Sequence, residues 1–152
     1  MGVDDSDESR AAVCWAADEA RLRGEALWMV HAYSYPMPIA WHTVPVIPHT
    51  QRSDRAAEDM VARMERESLG THPDLIVRRV TLPGTVLDVL GEMSEGADLL
   101  VIGAKGRHPL RGVVTGSGPS AVSRRVGCPV VVVHAHDPGP EVSASSICPA
   151  AS

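Results

Sequence analysis

Apolar and polar positions alternate along this chain in two rhythms, and the rhythm changes repeatedly. Short apolar runs of strand length lie at Ala26–Ala32, Leu75–Thr81, Leu99–Ile102 and Val130–Val133. Each is too short for a helix, and most end near glycine, proline or a polar cluster, so they read as buried parallel-type strands. Between them the apolar residues recur every three to four positions. Ala12, Val13, Ala16, Ala17 and Ala20 predict a helix over Asp7–Arg23. Ala57, Met60, Val61 and Met64 predict one over Gln51–Leu69, and Val86, Leu87, Leu90 and Met93 one over Thr85–Ser94. A fourth helical segment covers Pro119–Arg125.

The punctuation agrees. Asp5 or Ser6 can cap the first helix, with Glu8 reaching back, and Gly24 ends it. Gly70 stops the second helix, and Pro83-Gly84 turns the chain into the third. With Met1-Gly2-Val3 as an opening strand, the order is βαβαβαβαβ. That order implies an α/β fold with a parallel sheet and helices on both faces. Three residues are few for the central strand of such a sheet, so the first strand is expected to be truncated, with the true start upstream.

The chemistry concentrates in residues 98–133. The strand Leu99–Ile102 runs into Gly103, Gly106, Gly116 and Ser117, the spacing G-x2-G-x9-G-S, and a helix and a strand follow. Glycines let backbone N–H groups approach an anion, and the next helix start adds unpaired donors and a positive dipole end. The spacing is neither the Walker pattern nor G-x-G-x-x-G. Three turn glycines between a strand and a helix remain the plain alternative. The chain's one lysine, Lys105, sits in this loop, against thirteen arginines in the whole chain. Pro119 removes one N–H from the helix start but leaves those of Gly116, Ser117 and Gly118. Arg107 and Arg111 either neutralise phosphate or are simply solvated.

This stretch resembles the carboxyl-terminal half of a universal stress protein domain of the ATP-binding branch, as in actinobacterial members. Gly103, Gly106, Gly116 and Ser117 match that motif position by position, Val126–Val133 resembles the last strand, and Gly2–Ser9 the first strand–helix turn. The resemblance covers about residues 1–135. It implies one doubly wound, HUP or Rossmann-like five-stranded parallel sheet in the order 3-2-1-4-5. It also implies a nucleotide-dependent stress-response regulator whose cofactor is ATP, with Mg²⁺. Asp4 would contact the adenosine, the backbone near Ala32 the adenine edge, and Gly103, Lys105, Gly106, Gly116, Ser117 and Gly118 the phosphates. Homodimers would form through the last strand, Val130–Val133. Asp5 stands where the family usually has glycine, and a second carboxylate there would repel a polyphosphate unless it points away or binds a metal ion.

Asp4, Ala32 and Gly103 all fall at strand carboxyl ends, where such sheets bind ligands. His31 fits a structural histidine better than a ligand, and His134 and His136 fit surface positions better than a metal pair. The segment Tyr33–Thr50, with four prolines, is a long loop that either covers a ligand, packs a partner or is a surface excursion.

The totals restrict the alternatives. A chain of 152 residues suits one domain, expected over 1–136, with 137–152 a disordered tail rich in Pro, Ser and Ala. A formal charge of −5 argues against a nucleic-acid partner. No membrane-length apolar run or signal peptide is evident, so a cytoplasmic location is expected. Three cysteines, none in a C-x-x-C pair, suggest reduced thiols. Two other functions stay open: a non-nucleotide interaction module with an unknown protein partner, and a slow ATPase. No general base or nucleophile is placed beside the loop, and Val3-Asp4-Asp5-Ser6 lacks the glycines of adenylating relatives of the fold.

Overall fold

The structure, a computed structural model, describes residues 1–33, 50–70, 72–104 and 122–135, with backbone alone for 50–52. The elements in chain order are α1 (Asp7–Arg23), β1 (Leu27–Tyr33), α2 (Thr50–Ser68), β2 (Val77–Pro83), α3 (Val86–Ser94), β3 (Leu100–Gly103) and β4 (Val130–Val133). The three helices and four later strands fall within a few residues of the expected positions. The largest shift is in β2, which begins and ends two residues later than its apolar run and closes on Pro83. A proline is tolerated there because the N–H of position 83 would face away from β1, while Gly84 N–H continues the ladder to Tyr33 O at 2.9 Å.

Both strand pairs are parallel. β1 pairs with β2 in register Leu27↔Val77 to Tyr33↔Pro83, and β3 with β4 from Leu100↔Val130 to Gly103↔Val133. The described strands therefore form two two-stranded sheets, not one continuous five-stranded sheet. Residues 1–3 run between the pairs. Val3 N–H donates to Val30 O at 2.8 Å and Val30 N–H to Met1 O at 2.9 Å, while Gly2 N–H donates to Val101 O at 3.0 Å. So short a segment forms one isolated bridge, Gly2↔Val30, in place of a strand.

Helices cover both faces of these strands. One core joins Ala12, Val13, Ala16 and Ala17 of α1 to Val61 and Met64 of α2, over Val3, Met29 and Val101. The other joins Val89 and Leu90 of α3 and Val122 to Val30, Leu100 and Ile102. Neighbouring residues such as Met29 and Val30 enter opposite cores, as strand alternation requires.

Local chemistry fixes the helix ends. Gly24 closes α1 at φ 69°, a left-handed conformation that costs glycine little. Thr85 caps α3 by accepting from Asp88 N–H at 3.2 Å. The buried Ser94 donates to Gly91 O at 2.6 Å and accepts from Gly127 N–H at 3.1 Å, tying the end of α3 to the approach to β4. Cys14 is disulfide-bonded, which corrects the expectation of reduced thiols, and Cys128 is free. Composition and spacing do not say which cysteines meet in space. Among the described residues no helix is long and apolar enough to cross a membrane.

Candidate nucleotide site

The segment 1–3 ends at Asp4, beside the carboxyl ends of β1 and β3. Its bonds to Val30 and Val101 bring Asp4, Ala32 and Gly103 to one end of the sheet. These are three of the eight residues expected to form the site. The other five, Lys105, Gly106, Gly116, Ser117 and Gly118, lie outside the described residues, as do Arg107, Arg111, Pro119 and His136.

Asp4 is held by the start of α1. Ser6 is the cap: its Oγ accepts from Ser9 N–H at 3.1 Å and donates to Asp4 Oδ1 at 2.5 Å. Ser9 answers by accepting from Asp4 N–H at 3.0 Å. The reciprocal partner of the cap is therefore Ser9, not Glu8. Capping geometry explains this, because Ser9 is the third residue of the helix and Glu8 only the second. One Asp4 oxygen is thus oriented at the strand end by a neighbouring hydroxyl.

Gly103 abuts the same turn. A Cβ built on it would lie 2.9 Å from the carbonyl carbon of Glu8 and 3.0 Å from its oxygen. Backbone atoms cannot swing aside, so this glycine is required where β3 meets α1. The spacing motif pointed to glycine here for an anion; the packing of α1 supplies a second, independent reason.

Asp5 points elsewhere. Its Oδ1 is 3.1 Å from Arg10 Nη2 and 3.1 Å from Arg63 Nη2. Arg10 also reaches Asp7 at 3.3 Å and Glu67 at 3.6 Å. The second carboxylate is thereby neutralised by two guanidiniums that join α1 to α2. This clamp was not visible in the sequence, since Asp5 and Arg63 are far apart and only folding brings them together.

His31 keeps a structural role, with Nδ1 2.8 Å from Val3 O. His134 is exposed after β4. His72, nearly buried, meets Asp18 of α1 at 3.0 Å. Among the described residues no group of His, Cys, Asp and Glu could hold a metal ion.

Comparison with known proteins follows the same outline. The model of the universal stress protein family matches residues 1–134. A universal stress protein of Mycobacterium tuberculosis is 34% identical over 142 residues, covering 90% of this chain and 47% of its own length. The chain thus spans about half the length of the curated relatives it matches. A universal stress protein solved in complex with cAMP is 26% identical, with TM-score 0.58 over 88% of this chain and 93% of its own. The Archaeoglobus fulgidus universal stress protein in complex with dAMP, 20% identical with TM-score 0.52 over 87% and 93%, shares the fold. On the family match and the mycobacterial identity together, this chain belongs to the universal stress protein family.

Proposed function

We propose that this protein is a nucleotide-dependent regulator that binds an adenine nucleotide, ATP with Mg²⁺ in the first instance. The observation that carries the reading is the convergence of Asp4, Ala32 and Gly103 on adjacent strand ends, with the loop containing G-x2-G-x9-G-S leaving from Gly103. Asp4 would hold the adenosine and the end of β1 at Ala32 the adenine edge. Gly103, Lys105, Gly106, Gly116, Ser117 and Gly118 would receive the phosphates and leave Mg²⁺ to neutralise their remaining charge. The cAMP complex of the 26%-identical relative supports an adenine ligand. The arginine clamp on Asp5 supports it too, because it keeps the extra carboxylate paired.

In this reading the two strand pairs and residues 1–3 act as one sheet in the order 3-2-1-4-5, counting residues 1–3 as the first strand. Residues 1–136 are the domain, and β4 offers its free edge to a second copy. The protein works as a cytoplasmic binding module, not as a catalyst.

Gentle purification, denaturation and chromatography of the released small molecules test the proposal. Near-stoichiometric ATP is the expected result, and Asp4→Ala should weaken rebinding in calorimetry by about tenfold, the loss of one charge-assisted contact. An empty protein that ignores added Mg-ATP would move the assignment to the interaction module. Repeated turnover abolished by Gly116→Trp would move it to the ATPase.

A further inference from the structure

The seam between α1 and α2 holds a disulfide. Cys14 of α1 is bonded and Cys128 is free. The chain has three cysteines, so the partner of Cys14 within it is Cys148, which lies outside the described residues. Cys14 is buried, and its Sγ lies 3.9 Å from Ser68 O. Ser68 ends α2, where carbonyls have no donor from their own helix. A thiol at the same sulfur would donate to that oxygen, so both redox states of Cys14 fit the seam without an orphaned polar group. One turn further along α1, Asp18 meets His72 at 3.0 Å and keeps the seam closed.

The outward side of α1 bears on the same link. Trp15 and Leu22, two turns apart, are exposed there, opposite the buried Val13, Ala16, Ala17 and Ala20. α2 lies over β1 and β2, and α1 over β3 and β4. A chain leaving β4 at Val133 therefore reaches Cys14, on the α2 side of α1, by crossing that outward side. Residues 134–147 separate the two points, roughly 46–50 Å when fully extended, against a helix about 10–12 Å across.

We propose that Cys14 and Cys148 form a reversible thiol switch that, when oxidised, straps the segment after β4 across the outward side of α1, over Trp15. The oxidant is a low-molecular-weight disulfide such as glutathione disulfide. The Cys148 thiolate attacks one of its sulfurs and expels one glutathione thiolate. The Cys14 thiol then loses its proton, attacks the Cys148 sulfur of the mixed disulfide and expels the second. Two protein thiols lose two electrons and two protons, and one glutathione disulfide becomes two glutathione thiols. The bond closes residues 14–148 into one loop, which restricts the unfolded chain and favours the folded one. The switch uses none of the residues assigned to the nucleotide, so it stands or falls separately.

The test takes the full chain, reduced and then equilibrated with glutathione disulfide. Free thiols are blocked, and trypsin with a glutamate-specific protease releases residues 11–19 and 142–152 for mass spectrometry. These two peptides should appear linked, with Cys128 blocked, and dithiothreitol should separate them. The chain should run as a monomer in denaturing, non-reducing electrophoresis. Oxidation should raise Tm by about 5–15 °C and shift the indole N–H resonance of Trp15. Cys148→Ser should abolish both changes, and Cys128→Ser should keep them. A link from Cys14 to Cys128, a link between two chains, or no link in excess glutathione disulfide would overturn the proposal. So would a Tm difference that survives Cys148→Ser, or an unmoved Trp15 resonance.

Discussion

At Gly103 the end of β3 passes so close to Glu8 that one added carbon would touch main-chain atoms of α1. Gly103→Ala should therefore cost about 1–3 kcal/mol, as overpacking against an unyielding neighbour does, read as a lower denaturant midpoint at unchanged slope. The effect should appear without any nucleotide, which separates the packing reason for this glycine from the ligand reason. The Met1 amine gives a second residue-level expectation. Its ordinary value is 8.0, and burial, only partly offset by Cys128, lowers it to about 6. The unfolded chain then binds the extra proton between those values. Stability should rise as pH increases from about 6 to 8 and be lost as pH falls through that window, by about 2–3 kcal/mol. Comparing urea midpoints of free and N-acetylated protein isolates the contribution, because acetylation removes the titrating group.

At the scale of elements, periodicity was an accurate guide because each helix and strand buries one defined set of positions. The inward face of α1, written in Ala12, Val13, Ala16, Ala17 and Ala20, is the face that is buried. Ends were less legible. Glu8 looked like the partner of the cap until the helix start at Asp7 left that place to Ser9. Asp4, Ala32 and Gly103 could be placed together because a parallel sheet gathers its carboxyl ends, whereas Arg63 over Asp5 is a contact between helices with no local signature. The partly exposed ion pairs of that clamp are each worth about 1 kcal/mol or less, so they matter more for aiming Asp5 than for stability. β4 carries its own expectation. Leu100 N–H donates to Pro129 O and Ala104 N–H to Val133 O, so odd-numbered residues of β4 face β3 and Val132 N–H faces outward. Val132→Pro removes that outward donor alone. If β4 pairs with a second copy, the variant should sediment as a monomer while keeping the far-ultraviolet circular dichroism of the parent.

For the molecule as a whole, two cores on opposite faces share one narrow line of main chain. Residues 1–3 link the β1–β2 and β3–β4 pairs through the bonds at Val30 and Val101. The paired strands are longer, and β1 and β3 bury Leu27, Met29, Val30, Leu100, Val101 and Ile102 in the two cores. Native-state hydrogen exchange should show the Gly2, Val3 and Val30 amides exchanging before the Met29 amide, which faces β2, through an opening smaller than global unfolding. Equal protection along both sides of β1 would show that the pairs do not part. Each core nevertheless holds side chains from both strand pairs. Residues 1–3 can open locally, but parting the pairs must open both cores at once, so under tension applied between β2 and β4 the molecule should rupture in one high-force step.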